Sequence, residues 1–329
     1  MRRSRLFKIV RPENVIARAS MGLLETPFNP APAGAEITPL RAADGITLRS
    51  VFWPRLASAP PDRGTLLLLQ GRAEFVEKYF EIVAELRKRG FAVLAFDWRG
   101  QGASDRLLAE PHAGHVRLFT DFRLDYEAAR ATIPAGERVT VLAHSMGAAV
   151  ALTGAHEGWL GAERLACINP MVGLSLVRPV APAKRLAHLL VRAGLGERMV
   201  PGGRRPSIST RPFRHNLLSS DPGRYERDAA LARALDWQAI GSPTIGWLAT
   251  AYDAMDNLSR PEVAASIRLP VLMVLSGSDP VCSTPDMLRF AQALPDGRIL
   301  VLPEARHEIL MESDAILERF WEAFDAFAA

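Results

Sequence analysis

Apolar residues in this chain gather in short, nearly unbroken runs at 46–53, 65–69, 91–96, 139–143 and 165–169, and again at 269–275 and 298–302. Such runs suit strands buried on both faces, whereas a strand with one wet face would alternate. Between the runs, apolar positions recur at helical spacing. Phe75, Tyr79, Val83 and Leu86 share a face, with Gly90 as a stop. Residues 118–133 predict a second helix and an alanine-rich stretch from Met146 a third. Ile316, Phe320, Phe324 and Phe327 line one side of a last helix, with Ser313 as its candidate N-cap. Strands alternating with helices predict an α/β fold: a mostly parallel, doubly wound sheet covered on both faces.

The rhythm breaks across residues 171–266. This segment holds helical pieces, such as Leu186, Leu189, Leu190 and Ala193 ending at Gly194, and a turn-rich basic stretch at 201–206. An insertion at the carboxyl end of a parallel strand lies where ligands bind, so it is read as a mainly helical cap. The expected organisation is an N-terminal arm at 1–44, extended through the Pro- and Ala-rich residues 26–37, and a core at 45–170. The cap at 171–266 and the rest of the core at 267–329 follow.

Composition narrows the class. A chain of 329 residues with 48% hydrophobic and 23% charged residues has ordinary globular usage. No run reaches the roughly 18 apolar residues of a membrane span. Cys167 and Cys282, the two cysteines, make neither a disulfide framework nor a metal motif, which points to a reducing, cytoplasmic setting. The basic start lacks the apolar stretch of a signal peptide. The net charge of +4 is uneven: residues 1–18 carry six Lys/Arg against one acid, and residues 171–215 carry nine against one. No nucleic-acid-binding motif accompanies this charge, so nucleic acid is not an expected partner. Attraction to anionic lipid or substrate is, and the arm at 1–18 is expected to make peripheral contact with an anionic membrane. The oligomeric state stays open.

The sharpest chemical signal is Ala143, His144, Ser145, Met146, Gly147 at the end of a buried strand and the start of a helix. Small residues at 143 and 147 let strand and helix approach around a strained turn that lifts the Ser145 hydroxyl out, the setting of a nucleophile elbow. Ala143 stands where glycine is usual. An ordinary helix N-cap would also place a serine here; the strand-to-helix context favours the nucleophile. A serine hydroxyl needs a base, and the base needs an orienting acid. Of the histidines downstream, His156 falls in the next helix and His188 and His215 in the cap, leaving His307 in the loop before the last helix. Asp279, in the loop after the preceding strand, is the expected acid, with Glu304 in reserve. Two backbone amides should hold an oxyanion: that of Met146 and, by position, that of Arg72, with Gly71 allowing the turn. Gly100–Gly102 is read as a turn rather than a dinucleotide fingerprint, and neither metal nor nucleotide is expected.

Residues 70–79, residues 97–104, the Ser145 elbow and the Asp279 and His307 loops together resemble the lysophospholipase and monoacylglycerol lipase branch of the α/β-hydrolases. The resemblance covers roughly 45–170 and 265–329. It implies a serine hydrolase that cleaves a carboxylic ester of a single-chain acyl lipid through an acyl-enzyme, with no cofactor. A thioesterase or acyltransferase would use the same triad, and a non-catalytic binding protein could keep the fold. The family usually has histidine where this chain has Gln70, whose amide is expected to keep the loop's hydrogen bonds. The basic cap is expected to favour a phosphate-bearing headgroup.

Overall fold

The computed structural model describes residues 21–60, 62–177 and 179–329. The basic arm at 1–18 lies outside the described residues. In chain order the strands are β1 (Glu36–Arg41), β2 (Thr47–Trp53), β3 (Thr65–Leu69), β4 (Ala92–Phe96), β5 (Val139–His144), β6 (Arg164–Ile168), β7 (Val271–Ser276) and β8 (Gly297–Leu302). The helices are α1 (Phe80–Lys88), α2 (Phe122–Arg130), α3 (Ser145–Glu157), α4 (Val180–Arg192), α5 (Pro222–Leu235), α6 (Ile245–Leu258), α7 (Pro261–Ser266), α8 (Thr284–Gln292) and α9 (Asp314–Ala328).

All eight strands form one sheet, in the order β1-β2-β4-β3-β5-β6-β7-β8. From β4 to β8 every pairing is parallel, while β1 and β2 are antiparallel to each other and β2 is antiparallel to β4. The central strands β3, β5 and β7 are buried at every position, as their unbroken apolar runs require. Side chains within each strand go alternately to two cores. Leu67, Val141 and Met273 face one layer with residues from α2, α3, α6, α7 and α8; Leu66, Leu142 and Val274 face the other with α1 and α9.

β1 departs from the expected arm: residues 36–41 form an edge strand, paired with β2 from Glu36↔Phe52 to Arg41↔Thr47. Only Leu40 of this strand is buried, and it contains Pro39, which an edge tolerates because no ladder bond is needed on one side. Ser313 occupies the N-cap position of α9, but its side chain makes no cap hydrogen bond. By contrast, the Asp221 side chain accepts from the Arg224 amide at 2.7 Å, and Pro222 opens α5 behind it.

Between β6 and β7 the chain leaves the sheet for α4, α5 and α6. Its return is gradual: Trp247, Met255 and Leu258 of α6 and Val263 and Ala264 of α7 already belong to the main core. Within the sheet, Arg49 of β2 is fully buried with two carboxylates. It donates to Asp97 at 2.7 Å and to Glu77 at 2.5 and 2.7 Å. Burial opposes the guanidinium's charge, but Asp97 and Glu77 outweigh it and raise its pKa. Asp97 also accepts from the Val76 and Ala103 amides, which ties the loops after β3 and β4 together beneath the site. Among the described residues, no helix is long and apolar enough to cross a membrane.

Candidate active site

β5 runs directly into α3 at Ser145, whose φ of 49° lies in the left-handed region. A non-glycine residue held there stores on the order of 1–3 kcal/mol of strain, which the surrounding packing must enforce. Gly147 explains how. A Cβ at Gly147 would lie 2.5 Å from the Gln70 carbonyl oxygen and 2.7 Å from that of Leu69, so only glycine lets α3 press against the end of β3. Gly71 is similarly crowded: a Cβ there would sit 2.9 Å from His144 Nδ1 and 3.0 Å from the Glu74 carboxylate. Ala143 packs its methyl into the core, so the usual glycine is not needed at that position.

The fold brings the three predicted side chains together. Ser145 Oγ is 3.1 Å from His307 Nε2, and His307 Nδ1 is 2.7 Å from Asp279 Oδ2. With Nδ1–H donating to the carboxylate, Nε2 is left to accept from the serine hydroxyl. The second Asp279 oxygen accepts from the Val281 and Cys282 amides at 2.7 and 3.1 Å. Burial would raise the Asp279 pKa, but His307 and these two amides hold the carboxyl below its usual range. Asp279 thus stays ionised and fixes the tautomer of the ring. Ser145, Asp279 and His307 are all buried, at 7%, 5% and 5% exposure, so their hydrogen bonds form largely away from water.

The loop after β3 carries Arg72. Among the described residues its amide has no hydrogen-bond acceptor. The amide of Met146, in the first turn of α3, has no intrahelical partner either. The loop is braced from below. The Gly71 amide donates to Glu74 at 2.5 Å and the Ala73 amide to Gln101 Oε1 at 2.5 Å, which gives the Gly100–Gly102 turn its role. Gln70 does not take the part expected of it: its side chain is buried and neither amide atom has a hydrogen-bond partner among the described residues. Its backbone carbonyl accepts from Trp98 Nε1 at 2.9 Å instead.

Three residues of this neighbourhood went unread in the sequence. Glu74 accepts from Tyr79 OH at 2.6 Å and Lys78 Nζ at 3.0 Å, and meets His144 Nδ1 at 3.2 Å. Burial works against the charge on Glu74 and on His144. Lys78 and His144 nevertheless hold Glu74 well below its usual range, and Glu74 lifts the His144 ring above its own. His144 Nε2 then reaches the His307 carbonyl at 3.2 Å, so one ring joins the Arg72 loop to the His307 loop. Asn169, at the end of β6 with φ 41°, donates to the same carbonyl at 2.7 Å. A positive-φ asparagine after a buried strand is the one local hint of that role.

The remaining candidates fall elsewhere. Glu304 pairs with Arg319 on the surface at 2.7 Å. His156 bonds Ser266, His188 meets Asp253, and His215 accepts from Arg214. Asp279, Cys282 and His307 present ligand atoms within 4.8 Å of one another. Burial and Asp279 push the Cys282 thiol well above its usual value, which keeps it protonated and a poor metal ligand.

Ser145 and His307 open onto a cavity of about 460 Å³. Its walls are mainly apolar, with Leu174, Leu190, Val200, Ile245 and Trp247 among them. Leu186 of α4 both lines the cavity and is 52% exposed, which puts the mouth beside that helix.

The profile of the family described as "Serine aminopeptidase, S33" matches residues 60–314. The chain is 32% identical over 319 residues to lysophospholipase L2 of Escherichia coli K12, covering 92% of this chain and 89% of that protein. A soluble variant of monoglyceride lipase from Saccharomyces cerevisiae, solved with a substrate analog, superposes with a TM-score of 0.69 at 18% identity, over 90% of this chain and 96% of that one. A carboxyl esterase from Bacillus coagulans gives a TM-score of 0.72 at 17% identity, over 90% and 98% of the two chains. At such identities the structural likenesses speak for the fold alone. The chain belongs to the serine aminopeptidase (S33) family of α/β-hydrolases.

Proposed function

We propose that this member of the family is an ester hydrolase that cleaves single-chain acyl lipids, of lysophospholipid or monoacylglycerol type, through an acyl-enzyme on Ser145. One observation carries the reading: the hydrogen-bonded chain from Ser145 through His307 to Asp279 opens onto an apolar cavity able to take an acyl tail. The named relatives, a lysophospholipase and a monoglyceride lipase, support the same substrate class.

In this mechanism Ser145 Oγ attacks the acyl carbon as its proton passes to His307 Nε2. Asp279 stabilises the imidazolium that forms. The amides of Met146 and Arg72 receive the oxyanion, within a scaffold that Gly71 and Gly147 let close. The carbonyl re-forms as the C–O bond to the alcohol breaks, and His307 returns its proton to the leaving oxygen. Water, deprotonated by His307, then attacks the acyl-serine, and collapse releases the carboxylic acid. The insertion at 171–266 acts as the cap that encloses the tail, and no cofactor takes part. The protein works in the cytoplasm, and its basic arm at 1–18 makes peripheral contact with anionic membrane. Vesicle sedimentation at low salt, with and without residues 1–18, tests that contact; equal sedimentation would count against it.

Fatty-acid release from lysophosphatidylcholine and from a monoacylglycerol of the same chain length tests the main reading. Wild-type protein should release acid from at least one, and Ser145→Ala should lower the rate to background. Release from neither, or equal release by Ser145→Ala, would overturn it.

A further inference from the structure

The basic stretch at 171–215 was the expected source of headgroup recognition, but its described arginines, such as Arg198, Arg204, Arg211 and Arg214, are exposed and line no part of the cavity. Among the described residues one arginine does line it, and it comes from the core. Arg72 lines the cavity with Ser145 and His307, and its side chain reaches Trp247, which lines it too. Its Nη1 donates to the Gly241 carbonyl at 2.8 Å, and its guanidinium lies 5.5 Å from the Trp247 ring centroid. An arginine has five N–H donors, and no carboxylate pairs with this one among the described residues. Of the other interior arginines, Arg49 meets Glu77 and Asp97 and Arg99 meets Asp44 and Asp125, whereas Arg87 and Arg106 donate to backbone carbonyls and line no part of the cavity. Desolvation without a counter-charge pulls the Arg72 pKa down to about 10, so it remains a cation at neutral pH.

A half-buried cation with donors to spare and no carboxylate partner, beside a substrate cavity, is a receptor for an anion. Two anionic groups could reach it, the phosphate of a lysophospholipid or the carboxylate of a released fatty acid. Position favours the phosphate. The amide of this same residue is assigned above to the ester carbonyl, and three methylenes separate that residue's Cα from the guanidinium. A glycerophospholipid likewise places its phosphate a few bonds beyond the ester on the alcohol side. The acid, by contrast, keeps its carboxylate at the serine itself. With one donor on Gly241 and Trp247 beside it, the guanidinium keeps further N–H donors for phosphate oxygens.

We propose that the Arg72 side chain is the specificity determinant for a phosphodiester headgroup, binding the phosphate of a lysophospholipid beside the reacting ester. This rests on the acyl-lipid reading above and deepens it. The competing role is mechanical: the bond to Gly241 would merely hold the chain before α6 against the β3 loop.

Two measurements separate these. The first is the ratio of kcat/KM for lysophosphatidylcholine to that for the matching monoacylglycerol. Losses that act through the Arg72 amide or the Gly241 contact fall on both esters and cancel in the ratio. Arg72→Met should lower the ratio at least tenfold, chiefly through KM for the phospholipid. Arg72→Lys, which keeps the charge and loses the fork, should recover part of it. An unchanged ratio would overturn the proposal.

The second needs no turnover. In Ser145→Ala protein, calorimetry compares dodecylphosphocholine with dodecyltrimethylammonium, which has a similar tail and cation but no phosphate. Tenfold tighter binding of the phosphocholine, abolished when Arg72→Met is added, supports the phosphate site even if neither lipid is hydrolysed. Equal binding of the two by the Arg72-bearing protein would refute it. Competition by inorganic phosphate as strong as by the lipid would also overturn it, by marking a site for the free ion.

Discussion

Replacing Gly147 with alanine tests the elbow at its tightest point. The new methyl would stand 2.5 Å from the Gln70 carbonyl oxygen, 2.7 Å from that of Leu69 and 2.9 Å from the Leu69 carbonyl carbon. Ordinary contact begins at 3.4 Å, so about 0.9 Å must be found. None of the three obstacles is the end of a flexible side chain. All are backbone at the end of β3, held by the β5 ladder and by the Trp98 indole on the Gln70 carbonyl. The displacement therefore passes to Gly71 and Arg72, whose amide is assigned to the oxyanion. A misplacement of about 1 Å in such machinery lowers rates by about 100-fold, and overpacking of this kind costs about 1–3 kcal/mol. Gly147→Ala should thus lose about 100-fold in kcat/KM on a short p-nitrophenyl ester, with a melting point only a few degrees lower. Gly158→Ala is the control. It sits at φ 80° just after α3 with nothing within 4 Å of its new Cβ, so it should cost about 1 kcal/mol of stability and leave kcat/KM within twofold. If Gly147→Ala keeps kcat/KM within threefold of wild type, the close approach is not what positions the amide, and the reasoning fails.

Asp279→Asn should lower kcat by about 10³–10⁴-fold, because an amide cannot stabilise the imidazolium or select its tautomer, while Glu304→Gln should change little. Steady-state rates on the same ester decide it, and a loss under tenfold for Asp279→Asn would contradict its role. Arg49→Met should destabilise the fold by about 3–5 kcal/mol, since it strands the buried Glu77 and Asp97 carboxylates; urea unfolding showing less than 1 kcal/mol would refute that. Asp228 of α5 is buried, and desolvation lifts its pKa to about 7 despite Lys78 and Arg227 nearby. Its folded pKa stands above the unfolded value, so the folded state holds a proton the unfolded chain has released, and stability falls as pH rises from about 4 to about 7. Asp228→Asn should therefore gain on wild type by on the order of 1–3 kcal/mol between pH 5 and 8. A stability difference independent of pH over that range would show that the carboxyl is not desolvated as described.

The sequence by itself determined the parallel core and the three side chains that meet in the candidate site, because both are written in local pattern. Strands such as Leu67 to Leu69 and Val139 to Ala143 are buried on both faces, so they read as continuous apolar runs. Ser145 and Asp279 each follow such a strand and His307 follows the more exposed edge strand β8, and parallel strands deliver their carboxyl ends to one edge. β1 was hidden because an edge strand with one buried residue and a proline has no such run. Contacts between distant loops were beyond local pattern altogether. Glu74 and His144 are 70 residues apart, and Asn169 and His307 are 138 apart, yet these pairs hold the site together. Charge counts were blind to the same long-range placement. Counting arginines picked out the segment at 171–215, but a count cannot tell a solvated guanidinium from a desolvated one. Only the tertiary structure leaves Arg204 in water and folds Arg72, from a stretch with no excess of charge, into the cavity wall without a counter-ion.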